Sequence, residues 1–145
     1  MDDPEFDYTL RFGHPDREQL VFVFSASEVQ RERGQSSLGL HSAVSIQAGG
    51  FTGQAQVFCD LQDFTSLLSE MESLYTTLSG TAMLQTMETQ VGFTITGDGL
   101  GHISLEGFLL DRCGDGNRLE FRLDFDQTLL WHSVSDLRHL TQSSP

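Results

Sequence analysis

Phe64, Leu67, Leu68, Met71, Leu74, Tyr75 and Leu78 recur at helical spacing, and no other stretch of this chain constrains its fold as tightly. Intervals of three and four residues place them on one stripe of an α-helix. Asp60 stands where an N-cap belongs, and Asp63 adds negative charge to the first turn. Gly80 lies where a glycine stop is expected. A helix with one apolar stripe has to bury it. Each large side chain buried contributes about 1.5–3 kcal/mol before the entropy of ordering is subtracted. The rest of the chain must supply the covering surface.

That surface reads as β-structure. Phe6 to Phe12 alternates apolar and polar residues and predicts a first strand, with Gly13 to Asp16 as its turn. Leu20 to Phe24 is apolar on both faces and predicts a central strand. Glu28 to Ser37 is polar and charged and predicts a loop. Strands are expected at Ala43 to Ala48 and Phe51 to Cys59, joined at Gly49-Gly50, where paired glycines suit a tight hairpin. After the long helix come Thr81 to Glu88, Val91 to Thr96, His102 to Leu110 and Arg118 to Asp126. The turns between the last three are short and glycine-rich, so these strands are antiparallel neighbours. Centring the last hairpin at Gly114 sets Glu106 opposite Arg122; centring the preceding one at Gly99 sets Thr94 opposite Ser104. Alternation turns Val91, Phe93, Ile95, Ile103, Leu105, Leu119, Phe121, Leu123 and Phe125 inward. A short C-terminal helix is expected from Leu129 to Leu140. Runs of hairpins with a helix between them give an α+β fold, mainly an antiparallel sheet of about 7–8 strands. Prolines fall only at Pro4, Pro15 and Pro145, and no linker interrupts the body, so residues 1–145 read as a single domain.

Charge narrows the function. The formal net charge is −13, from 21 acids and 8 bases, all of them arginine. Such a surface repels phosphate backbones and anionic lipid, which argues against nucleic acid and membrane as partners, and it attracts a basic protein. Leu20 to Phe24, the longest apolar run, is far too short to span a membrane. The acidic start, Met1 to Glu5, lacks the basic, then apolar, pattern of a secretory signal. The expected compartment is cytoplasmic. Cys59 and Cys113 lie far apart outside any C-x-x-C pattern, so both are expected to be small core hydrophobes and not a redox or zinc pair.

Candidate chemistry resolves into turns. Gly97-Asp98-Gly99-Leu100-Gly101-His102 suggests a phosphate loop, but it lies between strands and opens no helix, so it lacks the donors of an anion site. Asp111, Asp115 and Asn117 miss the ligand spacing of a calcium loop and read as turn residues. His14, His41, His102, His132 and His139 are scattered, and no nucleophile elbow or metal-binding His pair occurs. The sequence predicts no cofactor, no metal and no catalysis.

A polar face stands out instead. Arg118, Glu120, Arg122 and Asp124 alternate with core residues on one strand, and Thr94, Thr96, His102, Ser104 and Glu106 share the outward parity. Phe108 and Leu110 share it too, so part of this face is apolar. Glu106, Glu120 and Asp124 on this face, with Glu70 and Glu72 off the helical stripe, are the candidate contacts for a basic partner.

Three blocks carry a family resemblance. Ala48-Gly49-Gly50-Phe51-Thr52-Gly53, Asp63-Phe64, and Leu74-Tyr75 with Leu78 and Gly80 form the first. Gly97 to Ile103 forms the second. Gly116-Asn117, Leu119 and Phe121, then Asp126-Gln127-Thr128 and Leu130, form the third. Together, over about Ala43 to Leu140, the chain resembles the WapI-type immunity proteins of bacterial polymorphic toxin systems. Upstream it departs from them: a segment that in the family often reads Asp-x-Asn-Trp-Leu is here Gly34 to Leu40, without tryptophan. The resemblance implies a non-catalytic inhibitor that binds a toxin domain, often a nuclease, in stoichiometric fashion. An enzyme or small-ligand domain using the sheet face, or a pocket under the long helix, stays open as the alternative; clustered ionisable groups in a deep pocket would mark it.

Overall fold

The computed structural model describes residues 7–34, 38–86 and 88–142. The expectations that concern Met1 to Phe6, Gln35 to Ser37 and Met87 lie outside the described residues. The first half of the chain forms β1 (Tyr8–Gly13), β2 (Gln19–Phe24), α1 (Ala26–Arg33), β3 (Leu40–Ala48) and β4 (Phe51–Cys59). The long helix α2 (Leu61–Thr77) leads to β5 (Ser79–Gln85), β6 (Val91–Asp98), β7 (His102–Leu110), β8 (Arg118–Asp126) and α3 (Gln127–Thr141). The strands form two antiparallel four-stranded sheets, β1-β2-β3-β4 and β5-β6-β7-β8. The fold is α+β as expected, with β2 an inner strand.

The sheets meet through aromatic side chains. Phe12 packs edge-on to Phe93 with ring centres 4.9 Å apart, joining β1 to β6. Phe22 on β2 also meets Phe93 edge-on. The α2 stripe lies against the same core, with Phe64 edge-on to Phe22 and Phe24 at 5.7 and 5.2 Å. Leu67, Leu68, Met71 and Leu74 are buried beside it, whereas Tyr75 is 38% exposed and packs on Trp131 of α3. The stripe therefore ends as a helix–helix contact.

Helices also cover two of the four sheet edges. α2 lies along β5, and Glu70 accepts a hydrogen bond from the Met83 backbone N–H at 2.8 Å. α3 lies along β1, where Asp136 accepts from the Arg11 N–H at 3.1 Å and the Ser133 hydroxyl donates to the Arg11 carbonyl. These two strand edges are thus closed by side chains reaching down from a helix.

Four expectations need correction. Residues 26–33 form a helix where a loop was expected. The Ser25 hydroxyl accepts from the Glu28 N–H as its N-cap, and Val29 is fully buried, so one apolar contact anchors an otherwise polar helix. Gly80 does not stop α2. Leu78 takes the left-handed conformation at φ 62°, its N–H bonded to the Leu74 carbonyl, and Gly80 belongs to β5. Tertiary contact holds a leucine in this unfavourable backbone region: the Leu78 carbonyl accepts the Gly99 N–H at 2.7 Å. The β6–β7 register is offset by two residues, so Thr94 faces Glu106 and Thr96 faces Ser104. The turn is centred on Leu100, because Asp98 accepts from both the Leu100 and His102 N–H groups. Finally, Cys113 is exposed in the β7–β8 turn, and only Cys59 is a core residue. Glu106 faces Arg122 as expected.

The cysteines supply a test of this placement. Burial, reinforced by the nearby carboxylates of Asp63, Asp60 and Glu28, pushes the Cys59 thiol up to about 12. An alkylating reagent is expected to modify Cys113 alone in the folded protein and both thiols after unfolding. Rapid labelling of Cys59 under native conditions, read by peptide mass, would contradict this packing.

Candidate partner-binding surface

The outward face of the second sheet is set by strand alternation. Leu119, Phe121, Leu123 and Phe125 turn inward from β8, and Arg118, Glu120, Arg122 and Asp124 turn out. Across the pair, Glu106 faces Arg122 and Ser104 faces Asp124. The charges form a ladder. Arg118 donates to Glu120 at 2.9 Å, and Arg122 lies 3.5 Å from Glu106 and 3.3 Å from Asp124. His102 lies 3.3 Å from Asp124. The hydrogen bond and charge of Asp124, with Glu106 adding to them, hold the Arg122 guanidinium above its ordinary pKa. Phe108 is half-buried, with the Arg118 guanidinium 4.1 Å above its ring. The apolar part of this face is therefore lidded by an arginine.

The structure brings three of the five candidate contacts together. Glu106, Glu120 and Asp124 share this face. Glu70 and Glu72 lie on α2 and serve the fold: Glu70 closes the β5 edge, and Glu72 accepts from Arg138 at 2.8 Å.

Many of the remaining acids are tied to backbone donors. Glu18 accepts from Gly49, Glu28 from His41, Asp111 from Asn117 and Asp126 from Thr128. Asp60 and Asp63 complete a capping box at the start of α2. The Leu100 N–H lowers the Asp98 pKa, and the Asn117 side chain lowers that of Asp111. These are the suspected phosphate and calcium motifs, and each is a hydrogen-bonded turn. Among the described residues, no cluster of three or more His, Cys, Asp or Glu is arranged to hold a metal. Likewise no described helix is long and apolar enough to cross a membrane.

Sequence reasoning missed two exposed apolar tips. Phe51, just after the Gly49-Gly50 turn, is 69% exposed, and Leu100, in the β6–β7 turn, is 90% exposed. Their signal was position, since an apolar residue in or beside a two- or three-residue turn stands at the end of the sheet, away from the core. Phe51 borders a groove of about 350 Å³ whose other walls include Glu18, Leu119, Glu120 and Arg122. The groove joins the hairpin tips of the first sheet to the charged ladder of the second. A surface of this kind, with exposed aromatic area beside unevenly charged polar groups, is suited to recognising another protein.

The profile of the Immunity protein WapI-like family matches residues 12–145. No curated protein and no solved structure matches the chain.

Proposed function

This chain belongs to the WapI-like immunity protein family, and from that premise we propose that it neutralises one cognate bacterial toxin domain by binding it stoichiometrically, without turning over a substrate. The observation that carries the reading is the extent of the family match, which runs from the end of β1 through α3. The charge of −13 supports a basic toxin surface, and nucleases, whose substrate sites are basic, are the class it would suit. The cytoplasm is the compartment in which such an inhibitor would meet an incoming toxin.

Charge complementarity raises association rates and makes them salt-sensitive, because exposed charges are screened over about 8–10 Å at physiological salt. Glu120→Lys and Asp124→Lys are expected to slow association several-fold while changing dissociation less. Glu70→Lys and Glu72→Lys are expected to act on stability first, since they break bonds within the fold. Surface-immobilised kinetics across a salt series separates the two.

The functional test is co-expression with the toxin domain encoded beside this chain, scoring survival and direct complex formation. Rescue with a one-to-one complex is expected. Full toxicity with no complex would reject this reading for that toxin, and metal-dependent turnover by the purified chain alone would restore the enzyme alternative.

A further inference from the structure

We propose that the toxin docks by adding a strand to the open edge of β4, at Thr52 to Gln54. The proposal deepens the functional reading above and rests on it. Of the four sheet edges, β1 and β5 are closed by α3 and α2. β8 carries Arg118, Glu120, Arg122 and Asp124 in alternation, and charged edge side chains discourage a further strand. β4 has neither protection: no described helix lies along it, and Phe51-Thr52-Gly53-Gln54-Ala55-Gln56 has no charge and no proline.

The hairpin register sets which backbone groups face outward. Ala48 and Phe51 close a two-residue turn and form a hydrogen-bonded pair, and Gly49, at φ 60°, supplies the positive φ that this turn requires. Alternation from that pair turns the N–H and C=O of Thr52, Gln54 and Gln56 away from β3. The Gln56 carbonyl bears this out, accepting the Gln90 side chain at 2.9 Å. Gln90 also donates to the Leu110 carbonyl at 3.0 Å and so clasps this end of β4 to β7. Among the described residues, the outward N–H and C=O of Thr52 and Gln54 have no partner. A strand laid there gains main-chain hydrogen bonds from groups already held in extended geometry.

Charge selects the occupant. Two copies of a chain carrying −13 repel one another, so a second copy is disfavoured. The same net charge favours basic side chains on the incoming strand, and Phe51, exposed at the start of β4, offers it apolar contact.

Gln54→Pro removes one outward N–H and obstructs the edge while leaving the β3–β4 ladder its own donors. With the neighbouring toxin domain as the probe, it is expected to weaken binding about tenfold or more, whereas Gln54→Thr, which keeps the N–H, binds as wild type. Thr52→Pro repeats the test one pair away. Amide exchange of the unmodified chain by NMR needs no variant: Thr52 and Gln54 amides should become protected in the complex. A toxin that binds wild type, Gln54→Pro and Thr52→Pro alike, with those amides still exchanging, overturns the edge proposal and leaves the immunity reading standing. Failure of the wild-type chain to bind overturns both. A dimer of the free chain with the Thr52 and Gln54 amides protected would assign the edge to a second copy instead.

Discussion

Leu67→Ala is expected to lower the unfolding free energy by about 2–5 kcal/mol. Leu67 is fully buried in the middle of the α2 stripe, between Phe64 and Met71, which are also fully buried. Truncation loses the transfer free energy of the missing carbons and leaves a cavity that a helix held at both ends cannot close. The Asp60–Asp63 box fixes one end, and the left-handed Leu78 fixes the other. Leu74→Ala, equally well packed at 2% exposure, is expected to fall in the same range. Urea denaturation monitored by fluorescence and circular dichroism measures both. A loss below about 0.5 kcal/mol for either, the level of surface substitutions, would mean that the stripe is not core.

Gly97→Ala is expected to destabilise by roughly 1–3 kcal/mol through overpacking, although it adds only a methyl group. A Cβ at this position would stand 2.5 Å from the Leu78 carbonyl oxygen and 2.9 Å from a methyl of Leu74. The first neighbour is backbone and cannot rotate away. It is also the carbonyl that accepts the Gly99 N–H and so holds Leu78 in its left-handed conformation. The added methyl would therefore loosen the end of α2 as well as the β5–β6 pair. Amide exchange should show this as faster exchange at Leu78 and Gly99, and unchanged exchange there would disprove the link. Gly114→Ala makes a contrast, because open space surrounds that position and only its positive φ opposes a side chain.

Periodicity and turn chemistry made most of this architecture legible. Alternation placed Phe93, Ile95, Leu105 and Leu123 in the core, and the Gly114 turn fixed Glu106 against Arg122. Glycine spacing alone misplaced the β6–β7 turn: Gly99 and Gly101 both take positive φ around Leu100, and the Asp98 carboxylate, bonded to the Leu100 and His102 N–H groups, fixes the centre between them. α1 was illegible because Val29 is its one buried apolar residue, one apolar residue has no period, and its other ties, such as Glu28 to the His41 N–H and Arg33 to the Leu140 carbonyl, are long-range. The division of the strands into two sheets was hidden for a different reason. Neighbouring strands show their pairing in turn length, but the Phe12–Phe93 contact joins residues far apart in the chain.

The candidate surface was legible in position and in its mixed charge. Parity put Glu106, Glu120 and Asp124 on one face with Arg118 and Arg122 among them, and these groups pair with one another as a mixed ladder. The uncharged composition of β4 is visible in the sequence, but that its edge is uncovered is not, because exposure of an edge depends on which elements lie beside it.

The division of labour among the carboxylates bears on how such a protein can diverge. Acids bound to backbone donors, such as Asp60, Asp98 and Asp111, shape turns and helix starts, so exchanging them alters the scaffold. The rungs of the β8 ladder instead pair with one another and with Glu106, His102 and Phe108 across the strands, through exposed side chains. Residues 118, 120, 122 and 124 can therefore be exchanged at little expense to folding, so the face they form can vary while the architecture stays put.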